Sequence, residues 1–396
     1  MSSISGTWGP DARHHYASYQ PWNADGTLLV LQNNARPWEV FLDGNTYLPK
    51  FGSCTNDPLY DSRWYPRRDH PHERIGIDRT GSRLIWFDVV RCQETRSTGL
   101  PFKASISFSN PSADGRLMVV FEKEGTKMAV VDMAPEPPHP PYEDGGARVG
   151  PVFSGDCGLA ACLNGGVSIS PSGRYVLAQM GDEQGTRDYT RVYDVDQETL
   201  AVSPRPMPEG SPECGDGQTA ARGYVLDLGH LDLTLDPFDG DEDIAVGQYR
   251  SWCPAKLDGV AMGSVVKVRL RDNKVTTLTN PDNEGYSFHV SARNLDRPGW
   301  IYVSYWPDSR GLRFGDEIIA VRLDGGAVER YTHQHSLSHG PLVDWYRAEP
   351  HAVPSPDGRR VLWASNWMLT CSPCEAHYDE VKAFVVDTWR ATGLVK

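Results

Sequence analysis

One pattern recurs seven times along this chain: a short strand, a turn closed by glycine, then a strongly apolar strand. The apolar strands read LLVLQ from Leu28, RLIWFDV from Arg83, RLMVVFE from Arg116, RYVLAQM from Arg174, DIAVGQY from Asp243, WIYVSYW from Trp300 and RVLWASNW from Arg360. The turns NADG, DRTG, SADG, SPSG, DPFDG, LDRPG and SPDG precede them, and such clusters stop one strand and reverse the chain into the next. Several repeats continue into a third, alternating strand: TRVYDVD from Thr190, SVVKVRL from Ser264, EIIAVRLDG from Glu317 and VKAFVVD from Val381. Helical periodicity is nearly absent. Units of roughly 35 to 65 residues with three or four antiparallel strands are the signature of propeller blades. The chain is therefore expected to be all-β, a seven-bladed β-propeller forming one domain over residues 1–396. Its first repeat is short at its start, so the two termini are expected to share a blade and close the ring. The Pro-rich stretch from Ala134 to Gly146 reads as a surface loop between blades.

Charge and cysteines narrow the function classes. The formal net charge of -13 argues against nucleic-acid binding, which runs on Lys and Arg set against phosphate. It leaves polyanionic substrates open where positive charge is local. No run of about 18 apolar residues exists, so no membrane-spanning helix is expected. Of eight cysteines, Cys157 with Cys162 and Cys371 with Cys374 are close enough to suggest pairing. Cys371, Cys374 and His377 also have the spacing of a zinc clip but lack a fourth ligand. The start MSSISGTWGP has no apolar signal-peptide core. That fits either a cytoplasmic protein or a mature one, and the even cysteine count favours a periplasmic or secreted location.

Histidines mark the axis. The first strand of each propeller blade faces the central channel, so the strand starts of all blades converge there. Counting back from each turn, these starts fall at Tyr19 or Gln20, His72, Ser105 to Phe108, Gly166, His230, His289 and His351. Four of the seven are histidines, out of twelve in the chain. Any one of them read alone would be a structural histidine between blades; four at one repeat position point to chemistry. Imidazole is a common transition-metal ligand and the natural base near neutral pH. His230, His289 and His351 fall in consecutive blades and should be neighbours. Arg293 and Asn294 follow His289 in the same blade, Glu349 precedes His351, and Arg250 and Arg191 are further cationic candidates. Loops around His70 and from Thr332 to His339, with His333 and His335 between, are expected to open at the same channel mouth. Trp64, Tyr65, Trp345 and Tyr346 would offer sugar-stacking faces or packing.

The segments GHLDL, FHVSARN and EPHAVPSPDG, set among SPDG-type turns, resemble TolB-like propellers and in particular the oligogalacturonate lyases. The architectural likeness covers most of the chain. It implies a manganese ion held by histidines with help from a glutamine, a further histidine acting as base, and β-elimination at a uronic acid within an acidic oligo- or polysaccharide. Carried over by position, His289 and His351 become metal ligands and His230 the base. This sequence departs from the family before His351: the family's last blade offers a glutamine and two histidines within a few residues, whereas Trp345 to Pro350 here offer Glu349 to replace one ligand. A carboxylate ligand admits calcium or zinc beside manganese. The elimination needs the uronate carboxylate neutralised before its neighbouring carbon gives up a proton. Arg250 or Arg293 would assist, Tyr346 would protonate the leaving oxygen, and His72 is a further catalytic candidate. Two other readings stay open: glycoside hydrolysis by a carboxyl pair drawn from residues such as Asp232 and Glu349, and a non-catalytic propeller that binds a glycan or a protein.

Overall fold

The computed structural model describes residues 2–3, 12–33, 36–123, 125–133, 147–154, 166–181, 188–205, 224–225, 228–250, 260–306, 311–336, 348–367 and 381–388. They form seven antiparallel sheets, and among them helix is limited to single turns at Pro237–Asp239 and Pro281–Glu284. The sheets make a ring because each is apolar on both faces and packs on two neighbours. Leu28, Val30 and Phe41 of the first blade meet Trp64, Ile85 and Phe87 of the second. Like cores join the second blade to the third, and so on round to the seventh. Trp22 and Leu29 then meet Leu362 and Val385, which closes the circle. Each such buried side chain contributes about 1.5–3 kcal/mol, so no blade is stable without its neighbours. Ser2–Ser3 pairs with Lys382–Asp387 as the outer strand of the seventh blade, and the termini share a blade as expected.

The turn glycines do what the repeat requires. Gly26, Gly81, Gly115, Gly173, Gly240, Gly299 and Gly358 all have φ between 67° and 84°, a left-handed conformation costing an ordinary residue about 1–2 kcal/mol. Six of them join the inner strand to the second. In the fifth, sixth and seventh blades the inner strands are Leu228–Asp236, Ser287–Ser291 and Val353–Pro354.

The second blade departs from the expected frame. Its strand order is Leu59–Trp64, Glu73–Asp78, Arg83–Asp88, Gln93–Gly99, so RLIWFD is the third strand and Gly81 turns the second into the third. The inner strand is Leu59–Trp64, which the sequence conceals because no Asp-Gly turn follows it. Its Arg63 is buried, lies 3.4 Å from the Tyr19 ring centroid and pairs with Asp61 at 2.6 Å.

Candidate active site at the propeller axis

Three inner strands break their own regularity where a histidine stands. In the fifth blade the register shifts between Gly229 and Asp232, and His230 takes φ 50°. In the sixth the shift falls between Ser287 and His289. In the seventh, His351 has φ 43° just ahead of Val353–Pro354. Bulges and positive φ re-aim a side chain at the expense of the ladder, and here they turn three imidazoles toward one another. The His230 and His289 ring centroids are 4.1 Å apart, and those of His289 and His351 are 4.2 Å apart.

Glu349 completes a compact donor set. Its Oε2 lies 3.5 Å from His289 Nε2 and 3.1 Å from His351 Nε2. Ligand atoms of His289, Glu349 and His351 all lie within 4.8 Å of one another, and all three residues are buried. Both ring nitrogens of His289 lack a hydrogen-bond donor or acceptor among the described residues. Buried polar atoms are otherwise satisfied as a rule, so a divalent cation fits this set. Burial is the main cause that holds the His289 and His351 pKa values well below the usual range. The neutral imidazoles that result are the form that ligates.

His230 stands beside the donor set with different partners. Its Nδ1 is 2.7 Å from the Tyr16 hydroxyl, and Arg250 Nη2 bonds its Nε2. Burial first, and the Arg250 charge second, lower its pKa to about 3. Arg250 also donates from Nε to Gln248 Oε1 at 3.3 Å, and among the described residues it pairs with no carboxylate. A Cβ at position 229 would overlap the Arg250 side chain, so Gly229 makes room for it. These groups wall a cavity of about 200 Å3, whose lining includes Tyr16, Phe108, Asn110, Gln179, His230 and Arg250.

The other candidates fall elsewhere. Arg293 is buried against Asp232, donating to its carboxylate at 2.8 and 2.7 Å and to the Leu233 carbonyl at 2.8 Å. Asn294 holds its own turn through the Arg297 and Trp300 carbonyls. His72 does not begin an inner strand: it ends the loop joining Leu59–Trp64 to Glu73–Asp78. That loop also carries His70, and its Arg68 pairs with Asp296 in the sixth-blade turn. The loop thus sits at the channel end opposite the histidine strand starts. His70 is engaged there by Asp69 and Glu73. Trp64 and Tyr65 are buried packing residues, not stacking surfaces. Arg191 lies over the Tyr193 ring. His333 is 3.9 Å from Glu317, and His335 packs on Trp367. Tyr346, Trp345, His339, His377, Cys157, Cys162, Cys371 and Cys374 lie outside the described residues. A disulfide the spacing did not suggest joins Cys54 to Cys92.

Tyr16 and His14 went unnoticed in the sequence. The inner strand of the first blade comes from the segment around Arg13 and Trp22, which bridge to Gln32 and Leu29. His14 Nε2 donates to the His351 carbonyl at 2.5 Å. The signal for Tyr16 was present, since it lies ten residues before Gly26, just as His230 and His289 lie ten before Gly240 and Gly299.

Solved structures share this architecture. An oligogalacturonate lyase in complex with manganese superposes with a TM-score of 0.58 at 12% identity, covering 97% of this chain and 92% of that one. The fold is the seven-bladed β-propeller. A second such lyase, from Vibrio parahaemolyticus, gives 0.56 at 10% identity with 97% and 92% covered. The Pan2 WD40 domain of Neurospora crassa gives 0.50 at 10% identity, with 98% and 93% covered. No protein-family profile and no curated protein sequence matches the chain. At such identities the likeness establishes the propeller, and function rests on the site itself.

Proposed function

We propose that this protein is a polysaccharide lyase that cleaves a uronic-acid-containing oligosaccharide by β-elimination, with His230 as the base. The observation that carries the reading is Arg250, a guanidinium with no carboxylate partner among the described residues, bonded to a neutral imidazole on the wall of a cavity. A partly buried guanidinium that lines a cavity without a counter-ion is suited to an anion, and the acidic group of a ligand supplies one. The carboxylate bound by Arg250 then lies beside His230, as abstraction of the adjacent carbon's proton requires. His289, Glu349 and His351 would hold a divalent cation, manganese ahead of calcium or zinc. When bound, that ion supplies positive charge that stabilises the enolate-like transition state.

Elimination is favoured over hydrolysis because Asp232, one of two carboxyls a hydrolase would need, is committed to Arg293. It is favoured over a binding-only propeller because glycan recognition has no need of three imidazoles and a carboxylate on one axis. The Cys54–Cys92 disulfide supports a periplasmic or secreted location, where such bonds persist. The test is absorbance from the unsaturated product when manganese-supplemented protein meets uronate oligosaccharides. Wild type produces it, and His230→Ala loses about 100-fold or more of the rate while retaining metal. A wild-type protein inert across pectic, alginate and glycosaminoglycan oligosaccharides contradicts the reading.

A further inference from the structure

The contacts of His230 fix more than its position. A guanidinium only donates hydrogen bonds, so the Nε2 atom bonded by Arg250 carries no proton. A neutral imidazole has one N–H, which must then sit on Nδ1, 2.7 Å from the Tyr16 oxygen. Tyr16 is therefore the acceptor in this pair. The opposite tautomer would set an N–H against Arg250, donor facing donor, and leave Nδ1 bare.

We propose that Tyr16 is a positioning residue that accepts the Nδ1–H of His230 and, together with Arg250, holds the ring so that the basic Nε2 points at the guanidinium and at whatever acidic group that guanidinium binds. The inference rests on the lyase reading for its catalytic consequence, though the tautomer itself does not.

The segment carrying Tyr16 is built to stay still. Gln20 Nε2 donates to the Arg293 carbonyl at 2.8 Å and to the Pro354 carbonyl at 3.1 Å, and Asn110 Nδ2 donates to the Ser18 carbonyl at 3.0 Å. The first blade's inner segment is thereby stapled to the third, sixth and seventh blades. The Tyr16 ring packs 4.9 Å from the His351 ring and 5.3 Å from Phe108, centroid to centroid. Its ring is thus held by contacts that do not involve the hydroxyl, and the hydroxyl meets the base. Such support from a neighbouring shell is what keeps a reacting group within a fraction of an ångström of its working geometry.

Arg250 also keeps the base latent until an acid arrives. Its guanidinium covers Nε2; a substrate carboxylate, the better partner for a cation, draws it off and uncovers the lone pair. Nε2 then takes the proton as the C–H bond breaks. That electron pair becomes the new C–C double bond as the glycosidic C–O bond opens. The departing oxygen collects the proton back from Nε2. The Nδ1–H stays on Tyr16 throughout, so the ring returns to the same tautomer.

The test is Tyr16→Phe in the full-length protein, which keeps the ring and removes the oxygen. With manganese and uronate oligosaccharide, kcat falls about 100-fold while KM and metal content stay within about twofold. A purely packing role predicts unchanged kcat, and that result overturns the proposal. Nitrogen-15 spectra of the His230 ring provide a readout that needs no turnover. Wild type shows the proton on Nδ1 in a hydrogen-bonded environment, and Tyr16→Phe, with Arg250 still set against Nε2, moves the Nδ1 resonance to that of an N–H without an acceptor. A wild-type proton on Nε2 overturns the proposal whatever the activity. An inert wild type with its proton on Nδ1 sinks the lyase reading and leaves the positioning role standing.

Discussion

Arg250 and Arg293 both sit near the inner strands of adjacent blades, and they live in opposite circumstances. Arg293 is buried and gripped by a buried Asp232 through two charge-assisted bonds, with the Leu233 carbonyl as a third acceptor. Among the described residues the Arg250 guanidinium bonds a neutral imidazole and an amide oxygen, and it faces a cavity. One cation is satisfied within the fold; the other, under the proposed function, takes its counter-ion from a ligand. The same division separates the two ends of the channel. At the turn end, Arg68 pairs with Asp296 and Trp64 donates to the Pro21 carbonyl. At the strand-start end, bulges and positive φ hold imidazoles in a cluster where both ring nitrogens of His289 lack a hydrogen bond among the described residues. Under the proposed function the channel is a scaffold at one end and a reaction site at the other.

Substitution of each partner sharpens this contrast. Asp232→Ala leaves Arg293 as an uncompensated buried charge and should destabilise the protein by about 3–5 kcal/mol, read as a lower midpoint in urea unfolding. An unchanged midpoint would show that Arg293 is not the structural arginine. Arg250→Ala should alter stability by less than about 1 kcal/mol. Its effect falls on the acidic ligand instead, with KM for a uronate oligosaccharide rising about tenfold or more, because hydrogen bonds to charged groups contribute about 1.5–3 kcal/mol. A stability loss equal to that of Asp232→Ala would erase the distinction.

The sequence declared the fold through its turns. Seven glycines placed before seven apolar strands all proved left-handed, because no other residue adopts that turn without strain. The second blade misled because its DRTG turn looks like the rest yet lies one strand further out, while LYDSRW, with a buried arginine, does not alternate as a strand should. His72 was drawn into the axis by that slip. The histidines of the last three blades were legible because they recur at one repeat position. Glu349 was a ligand candidate from its place just ahead of His351, whereas the bulges that aim the rings at it leave no mark in the residue types. Tyr16 was missed because the first inner strand was placed a few residues late, at Tyr19 or Gln20. The bond between Arg293 and Asp232 joins side chains 61 residues apart, a pairing that no local pattern encodes.

The central claim is that the inner-strand starts of the last three blades assemble a metal-dependent site for an acidic sugar. Calorimetric titration of the metal-free protein with manganese tests it most directly. The account predicts one site per chain, matching the single His289, Glu349 and His351 cluster among the described residues, with affinity lost by about 10-fold or more in His289→Ala. Saturable binding that survives unchanged in both His289→Ala and His351→Ala, or no binding at all to wild type, would contradict it.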